Sequence, residues 1–414
     1  MPRILRGAEA LPPERKEDAV TELSAKRETP REAPRRTADW YELFFDLVFV
    51  VVIALSAHLI EVDPSLNTVL VFMLLFFPLW WAWVNLTVTS NLFGRRHPAI
   101  PALVVVAMPG PAMMAIAIAG GIAELGWLYA VGAAWIRLVL LVMWLIPRAL
   151  GAVRVPLWRP LAYNLGTAML WLGSIAVPEP YRYLLWFAAV AAEVLLLALR
   201  RGGFADEIYE QASISHLLER VGLFVVIVIG EAVYLSVTAL AEHPSVAGGA
   251  AALFGLVLCA FLARAFFRWG APTAETGLLR AQRSHSFAVM RDVTMYLPFL
   301  LVTALTLIAA AIGSAVERGD EALELPVRVL LAVGIGGFYL ANALVGVRLG
   351  RPLGRIMQLL VPGLVLPALA CFLSGALAAW ATLALAALAL VLLDLVSRLL
   401  GARAAAAASG IPTM

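Results

Sequence analysis

Two carboxylates, Glu42 and Asp46, stand one helical turn apart in ELFFDLVFVVVIA (residues 42–54), a stretch that is otherwise apolar. At i, i+4 they share a helix face and repel if both are ionised, so the pair calls for a proton on one of them or a basic neighbour. Arg220 and Arg264 are the candidates within apolar sequence. A second stretch, ERVGLFVVIVIGE (219–231), opens with Glu219 and Arg220 and closes on Glu231. Arg137 lies inside AVGAAWIRLVLLVMWLIPR, and Glu193 inside YLLWFAAVAAEVLLLALR. Acids in such surroundings bind a proton or a cation, and guanidinium groups neutralise them or hold an anionic substrate group; alternatively, such pairs only fix which helices pack together.

Other chemistry finds no support. No Walker-type glycine loop, HExxH or GxSxG is present, and His58, His97, His216, His243 and His285 are not at ligand spacing. No catalytic residue, metal or cofactor is expected. His58 and Asn85 read as packing or interface residues. Cys259 and Cys371 sit in apolar blocks as small apolar side chains and not as a disulfide framework. The net charge of +3 comes from arginines flanking apolar blocks, which insertion into a bilayer requires, so nucleic acid is not an expected partner.

The elements that must position these residues are membrane helices. Of 414 residues, 62% are hydrophobic and 14% charged, outside the range of soluble globular chains. The apolar blocks suit helices crossing a hydrocarbon core of about 30 Å. The expected fold is an all-α polytopic membrane protein of twelve spans, at 41–60, 68–90, 99–120, 125–146, 159–177, 182–200, 217–240, 248–268, 293–315, 327–347, 356–378 and 380–400. Arginines gather in the even-numbered connections (Arg95 and Arg96; Arg148, Arg154 and Arg159; Arg200 and Arg201) and again at 268–291 and 348–355. The odd connections, such as EVDPSLN and AEHPS, are nearly free of bases. The positive-inside rule then places both termini in the cytoplasm.

Residues 1–38 mix acids, bases and prolines and read as a disordered cytoplasmic tail without a cleaved signal peptide. Two six-helix halves follow, 39–201 and 217–403, joined by a linker at 202–216 and ending in a short tail at 404–414. Spans one and seven open alike, and spans four and ten share Ala-Val-Gly (130–132 and 332–334), which suggests a parallel duplication about an axis along the membrane normal. The breaks MPGPAM (108–113) and VPGLVLP (361–367) read as packing kinks or as substrate-lining ones. At 1.5 Å rise per residue, Glu231 and Arg137 each lie about 16–18 Å from the cytoplasmic ends of their helices, which would let them pair near the midplane. Asp46, Glu193 and Arg264 form a shallower layer at about 6–11 Å, and Glu42 reads as an interface residue.

The two opening motifs, ELFFDLVFVVVI and ERVGLFVVIVIGE, resemble the signature segments of the bacterial low-temperature-requirement protein A family. Trp40 and Tyr41, Arg137, Glu193 and GIGGFYLANALVG (334–346) are similar too, so the resemblance covers nearly the whole chain after residue 38. The sixth-span acid is Glu where that pattern usually has Asp, and Tyr296-Leu297-Pro298 stands where it often has a His before Pro. The resemblance implies a multi-pass protein of the bacterial cytoplasmic membrane with no agreed biochemical activity.

The reading that joins these observations is a secondary transporter or permease, not an enzyme, coupled to protons or cations, with its site between the halves. In it Asp46, Glu231, Arg137 and Glu193 form the site and Glu42, Glu219, Arg220 and Arg264 support it. Its partners are membrane lipids and a small-molecule or ion substrate. The alternative is a non-transporting adaptor or cold-stress factor in which the ion pairs are structural. An intramembrane enzyme ranks last, because the sequence offers carboxylates without a nucleophile or metal cluster.

Overall fold

The computed structural model describes residues 39–94, 97–151, 153, 156–198 and 212–409. The expected tail at 1–38, most of the 202–216 linker, residues 410–414 and Arg95, Arg96, Arg154, Arg200 and Arg201 lie outside the described residues. In chain order the helices are α1 (Trp40–Val62), α2 (Leu66–Phe93), α3 (Ala99–Ala107), α4 (Pro109–Ala119) and α5 (Ile122–Ala149). Next come α6 (Thr167–Gly173), α7 (Tyr181–Ala198), α8 (Ile214–Glu242), α9 (Val246–Ala265) and α10 (Ala271–Arg283). The last are α11 (Phe287–Arg291), α12 (Leu297–Arg318), α13 (Leu325–Arg348), α14 (Leu353–Leu373) and α15 (Ala379–Ser409). No strand occurs among the described residues, apart from one isolated bridge between Ala322 and Ala378.

Among the described residues ten helical stretches are long and apolar enough to cross a membrane: α1, α2, α3 with α4, α5, α8, α9 with α10, α11 with α12, α13, α14 and the apolar part of α15. The segments expected at 159–177 and 182–200 are not among these ten. The first is broken into a short turn at Trp158–Pro160, a π-helical stretch at Leu161–Gly166, α6 and a 3-10 turn at Ser174–Ala176. The second is α7, 18 residues long. Two boundaries also moved outward. α9 runs on through a π-helical stretch into α10, so the arginine-rich eighth connection is largely helical. α15 reaches Ser409 on a run of alanines, the best helix formers.

Proline explains two of the π-helical stretches. Pro272 and Pro298 follow Phe266–Gly270 and Asp292–Tyr296 by two residues, and each lacks the N–H that the carbonyl four residues earlier would receive. Side-chain donors bind carbonyls in or beside both widened turns. Thr273 donates to the Trp269 carbonyl and Thr294 to that of Met290, while the Trp80 indole donates to the Met295 carbonyl at 2.8 Å.

α12 is the centre of the helical packing. Its LPFLLVTALTLIAAAIGSAV is apolar all round, which suits a helix buried on every side, and nearly all of it is buried against α1, α8, α9 and α13. α2 is a second hub, because Trp80, Trp81 and Trp83 are fully buried and donate in three directions. Trp80 reaches the turn before α12, Trp81 the Tyr163 hydroxyl at 3.1 Å, and Trp83 the Asp46 carboxylate of α1 at 2.7 Å.

The MPGPAM break is a packing kink. It separates α3 from α4 at Met108, where Pro109 cannot continue the hydrogen-bond ladder, and Trp135 of α5 donates to the Val106 carbonyl at 2.7 Å. Just past the kink α4 lies backbone to backbone on α5: a Cβ on Gly132 would stand 2.5 Å from the Gly110 carbonyl oxygen and 2.9 Å from Met114. Small residues permit such approaches in membranes, where packing rather than water exclusion holds helices together. Gly132→Val is therefore expected to lose about 1–3 kcal/mol by overpacking. Gly173→Val, where a Cβ meets nothing within 4 Å, should stay within about 0.5 kcal/mol. Denaturant unfolding of the two variants in detergent checks the contrast.

Candidate functional site

α1 and α8 meet through a buried charge cluster. Arg220 forks onto Asp46, with Nε to Oδ2 at 2.9 Å and Nη2 to Oδ1 at 2.6 Å, while its Nη1 lies 3.4 Å from Oε1 of Glu42. Trp83 adds an N–H to Asp46, and its ring lies 5.9 Å beneath the guanidinium. Ser90 donates to Glu42 Oε1 at 2.7 Å, and His216 Nε2 is 2.9 Å from Glu42 Oε2. All of these side chains are buried.

The histidine is held between two neighbours. Asn91 Oδ1 accepts the Ser213 N–H, which orients the amide so that Nδ2 donates to the Ser213 carbonyl. His216 Nδ1 then faces the Asn91 amide nitrogen and Nε2 faces the Glu42 carboxylate. Two carboxyl groups, one guanidinium and one imidazole share the cluster. Each carboxylate oxygen of the cluster lies within hydrogen-bond distance of at least one nitrogen or hydroxyl.

A second buried pair joins α5 to α7. Arg137 binds Glu193 bidentately, Nε to Oε1 at 2.7 Å and Nη2 to Oε2 at 3.2 Å. It sends Nη1 to the Ala133 carbonyl at 3.0 Å and lies 5.4 Å over the Trp171 ring. Arg137 therefore does not pair with Glu231 as their depths suggested; Glu193, whose helix packs nearer, takes both ends of the fork. Arg264 likewise does not serve Glu42 or Asp46. It binds Asp394 of α15 at 3.1 Å, and Arg398 holds the same carboxylate at 2.7 Å. Glu219 faces outward and joins none of these groups.

Glu231 is the exception. It is only 3% exposed, yet its Oε1 is buried with no hydrogen-bond partner among the described residues. No guanidinium pairs with it; the acid that acts on it is Glu61, from the last turn of α1. The Glu61 carboxylate fills the space beside Gly313 of α12, next to Leu235, one turn beyond Glu231 on α8. Glu61 itself leans on the exposed His58, Nδ1 to Oε2 at 3.4 Å. Two carboxyls thus approach at the junction of α1, α8 and α12 with no arginine or lysine paired to either among the described residues. Such a site accepts a proton or a small cation.

The four acids and bases expected at one site occupy three places: Asp46 in the Arg220 cluster, Arg137 with Glu193, and Glu231 beside Glu61. Glu42 is wholly buried, not an interface residue. Sequence reasoning left out Glu61, Ser90, Trp83 and Asp394, and it put His216 at a helix start without seeing that Glu42 lay opposite. Glu61 carried a usable signal, since it follows His58 by one helical turn on a helix that already held two unusual acids. Among the described residues no group of three or more His, Cys, Asp or Glu side chains is placed to hold a metal.

A sequence model described as bacterial low temperature requirement A protein (LtrA) matches residues 37–397. The chain belongs to the LtrA family. A curated relative, the uncharacterized protein RA0937 of Rhizobium meliloti (strain 1021), is 28% identical over 204 residues, covering 47% of this chain and 49% of that protein. The chain thus spans about half the length of the curated relative it matches. No solved structure matches. In this LtrA protein the two segments that carried the resemblance are in contact, because Arg220 of the second grips Asp46 and Glu42 of the first.

Removing one member of a buried pair strands the other, which typically costs about 3–5 kcal/mol, whereas replacing both by apolar residues is often near neutral. Arg137→Leu is expected to lose that amount and Arg137→Leu with Glu193→Leu to recover most of it. Unfolding free energies of the two singles and the double in detergent measure the coupling.

Proposed function

We propose that this LtrA protein is a secondary transporter or permease in which the Glu231 carboxyl, with Glu61 beside it, binds the coupling proton or cation. The observation that supports this reading is the contrast among its buried acids. Asp46, Glu42 and Glu193 are met by arginine or directed donors, as residues that fasten helices would be. Glu231 is left with an unpartnered oxygen at an acid-lined junction, a costly arrangement in apolar surroundings unless a proton or cation occupies it for part of a cycle. Asp46, Arg137 and Glu193 then position helices around that site, and no catalytic step is assigned to the protein.

The proposal extends to topology. The segments at 159–177 and 182–200 are taken as the fifth and sixth crossings, giving twelve spans in two parallel six-helix halves. Both termini face the cytoplasm and the protein resides in the bacterial inner membrane. The substrate is a small molecule or ion, and the surrounding partners are lipids. α1 of the first half and α8 of the second meet where both charged junctions lie, which suits a site between repeats.

A second reading is a non-transporting adaptor or cold-stress factor. The buried pairing of Arg220 with Asp46 and of Arg137 with Glu193 favours it. Flux separates the two. Purified protein in liposomes containing a pH-sensitive dye, driven by a valinomycin potassium potential with and without added sodium, should move protons or cations. Glu231→Gln should cut that movement at least ten-fold while the protein remains folded by size exclusion. Equal flux in wild type and Glu231→Gln would remove Glu231 as the site, and no flux in either would favour the adaptor.

A further inference from the structure

The second half contains a cavity that none of the charge clusters uses. It measures about 100 Å³ and lies among α9, α13, α14 and α15, together with the π-helical stretch and α10 that continue α9. A single water needs about 10–15 Å³ by the same kind of measure, so the space admits a chain of several heavy atoms. Its walls are mostly carbon, from Phe261, Phe338, Tyr339, Leu360, Leu390 and Leu393. The polar groups within turn back on their own helices: Asn342 donates to the Phe338 carbonyl at 2.8 Å, Ser397 to that of Asp394 at 2.7 Å, and Thr273 to that of Trp269.

One end of the cavity is cationic. α13 stops at Gly350, whose φ of 72° suits glycine, and the Arg351 N–H returns to the Gly346 carbonyl at 2.9 Å. That turn sets Arg351 at the cavity edge, and the first turn of α14 sets Arg355 beside it. Both are exposed, and neither guanidinium has an ion-pair partner among the described residues. Each raises the positive potential at the other; burial and the Arg355 charge hold the Arg351 guanidinium below its ordinary pKa. The one acid on the cavity wall, Asp394, is already held by Arg264 and Arg398.

We infer that this cavity is a binding site for an anionic amphiphile, its acyl chain among α9, α13, α14 and α15 and its phosphate or carboxylate head between Arg351 and Arg355. Two unpaired guanidiniums above a carbon-lined space match a head of opposite charge on an apolar tail, and a head without net negative charge leaves part of their charge uncompensated. Basic pockets between membrane helices hold anionic headgroups by the same physics. This site is separate from the Glu231 junction and stands whether or not the protein transports.

The test uses the full chain in detergent, with phosphatidylglycerol, phosphatidylcholine and palmitate as probes, read by native mass spectrometry. Saturable retention of phosphatidylglycerol or of palmitate, at least ten-fold above phosphatidylcholine, is expected, and whichever is retained identifies the source of the head. Arg351→Gln with Arg355→Gln, at exposed positions, should abolish that preference, while Arg318→Gln, far along the chain at the end of α12, should not. A second readout uses dibrominated phosphatidylglycerol or palmitate, which should quench part of the tryptophan fluorescence, a part lost in Trp269→Phe. No preference for either anionic probe, or a preference unchanged in the double arginine variant, would overturn the inference.

Discussion

The fork from Arg220 to Asp46 is the contact on which the rest of the arrangement depends. α1 brings two carboxylates into apolar surroundings, where each is expensive unless it is paired. Arg220 is placed to answer both, and it comes from α8, more than 170 residues later. The first described helix therefore reaches a satisfied state only when α8 is beside it. Ser90, Trp83 and His216 complete the partners of the two carboxylates, and Asn91 faces the imidazole. Each of these residues lies on α2 or α8, so the cluster also fixes the rotation of those helices against α1.

Around that clamp the structure divides its charges into two kinds. Arg137 with Glu193 and Arg264 with Asp394 are closed by geometry, each guanidinium facing its acid with hydrogen bonds of 2.7–3.1 Å at the nitrogen that binds closest. Their role is to choose helix partners, α5 for α7 and α9 for α15. Glu231 and Glu61 are of the other kind. They approach from helices that the Arg220 clamp and α12 bring together, with no arginine or lysine paired to either among the described residues. The Arg220 clamp on one stretch of α1 and the open acid pair at its far end are parts of a single packing solution, because the same two helices carry both.

Much of this was legible beforehand, and the misses have physical causes. Apolar block length predicted the helices at 41–60, 68–90 and 293–315 to within a few residues, since crossing length and hydrophobicity are properties of the chain alone. The break within the segment at 159–177 was not foreseen because a π-helical widening depends on local hydrogen bonding that hydropathy does not record. The acids and arginines were recognised as unusual, yet their pairing was misjudged. Depth along a helix gives one coordinate, and partner choice needs the other two. Arg137 and Glu231 shared a level but not a face, and Glu61 was passed over because its place near a helix end made it look like part of a loop.

By itself, then, the sequence determined the membrane class, the helical content, the family resemblance and the list of charged residues that had to be answered inside the bilayer. All of these follow from composition, local periodicity and short motifs. Only the tertiary structure decided which cation meets which acid, that His216 is buried against Glu42, and that Glu231 is left with Glu61 instead of an arginine. It also decided that Arg351 and Arg355 stand together over a carbon-lined space. Those outcomes rest on lateral helix contacts between residues tens to hundreds of positions apart, and the energy of a charge in an apolar medium is set by the group that reaches it across such a contact.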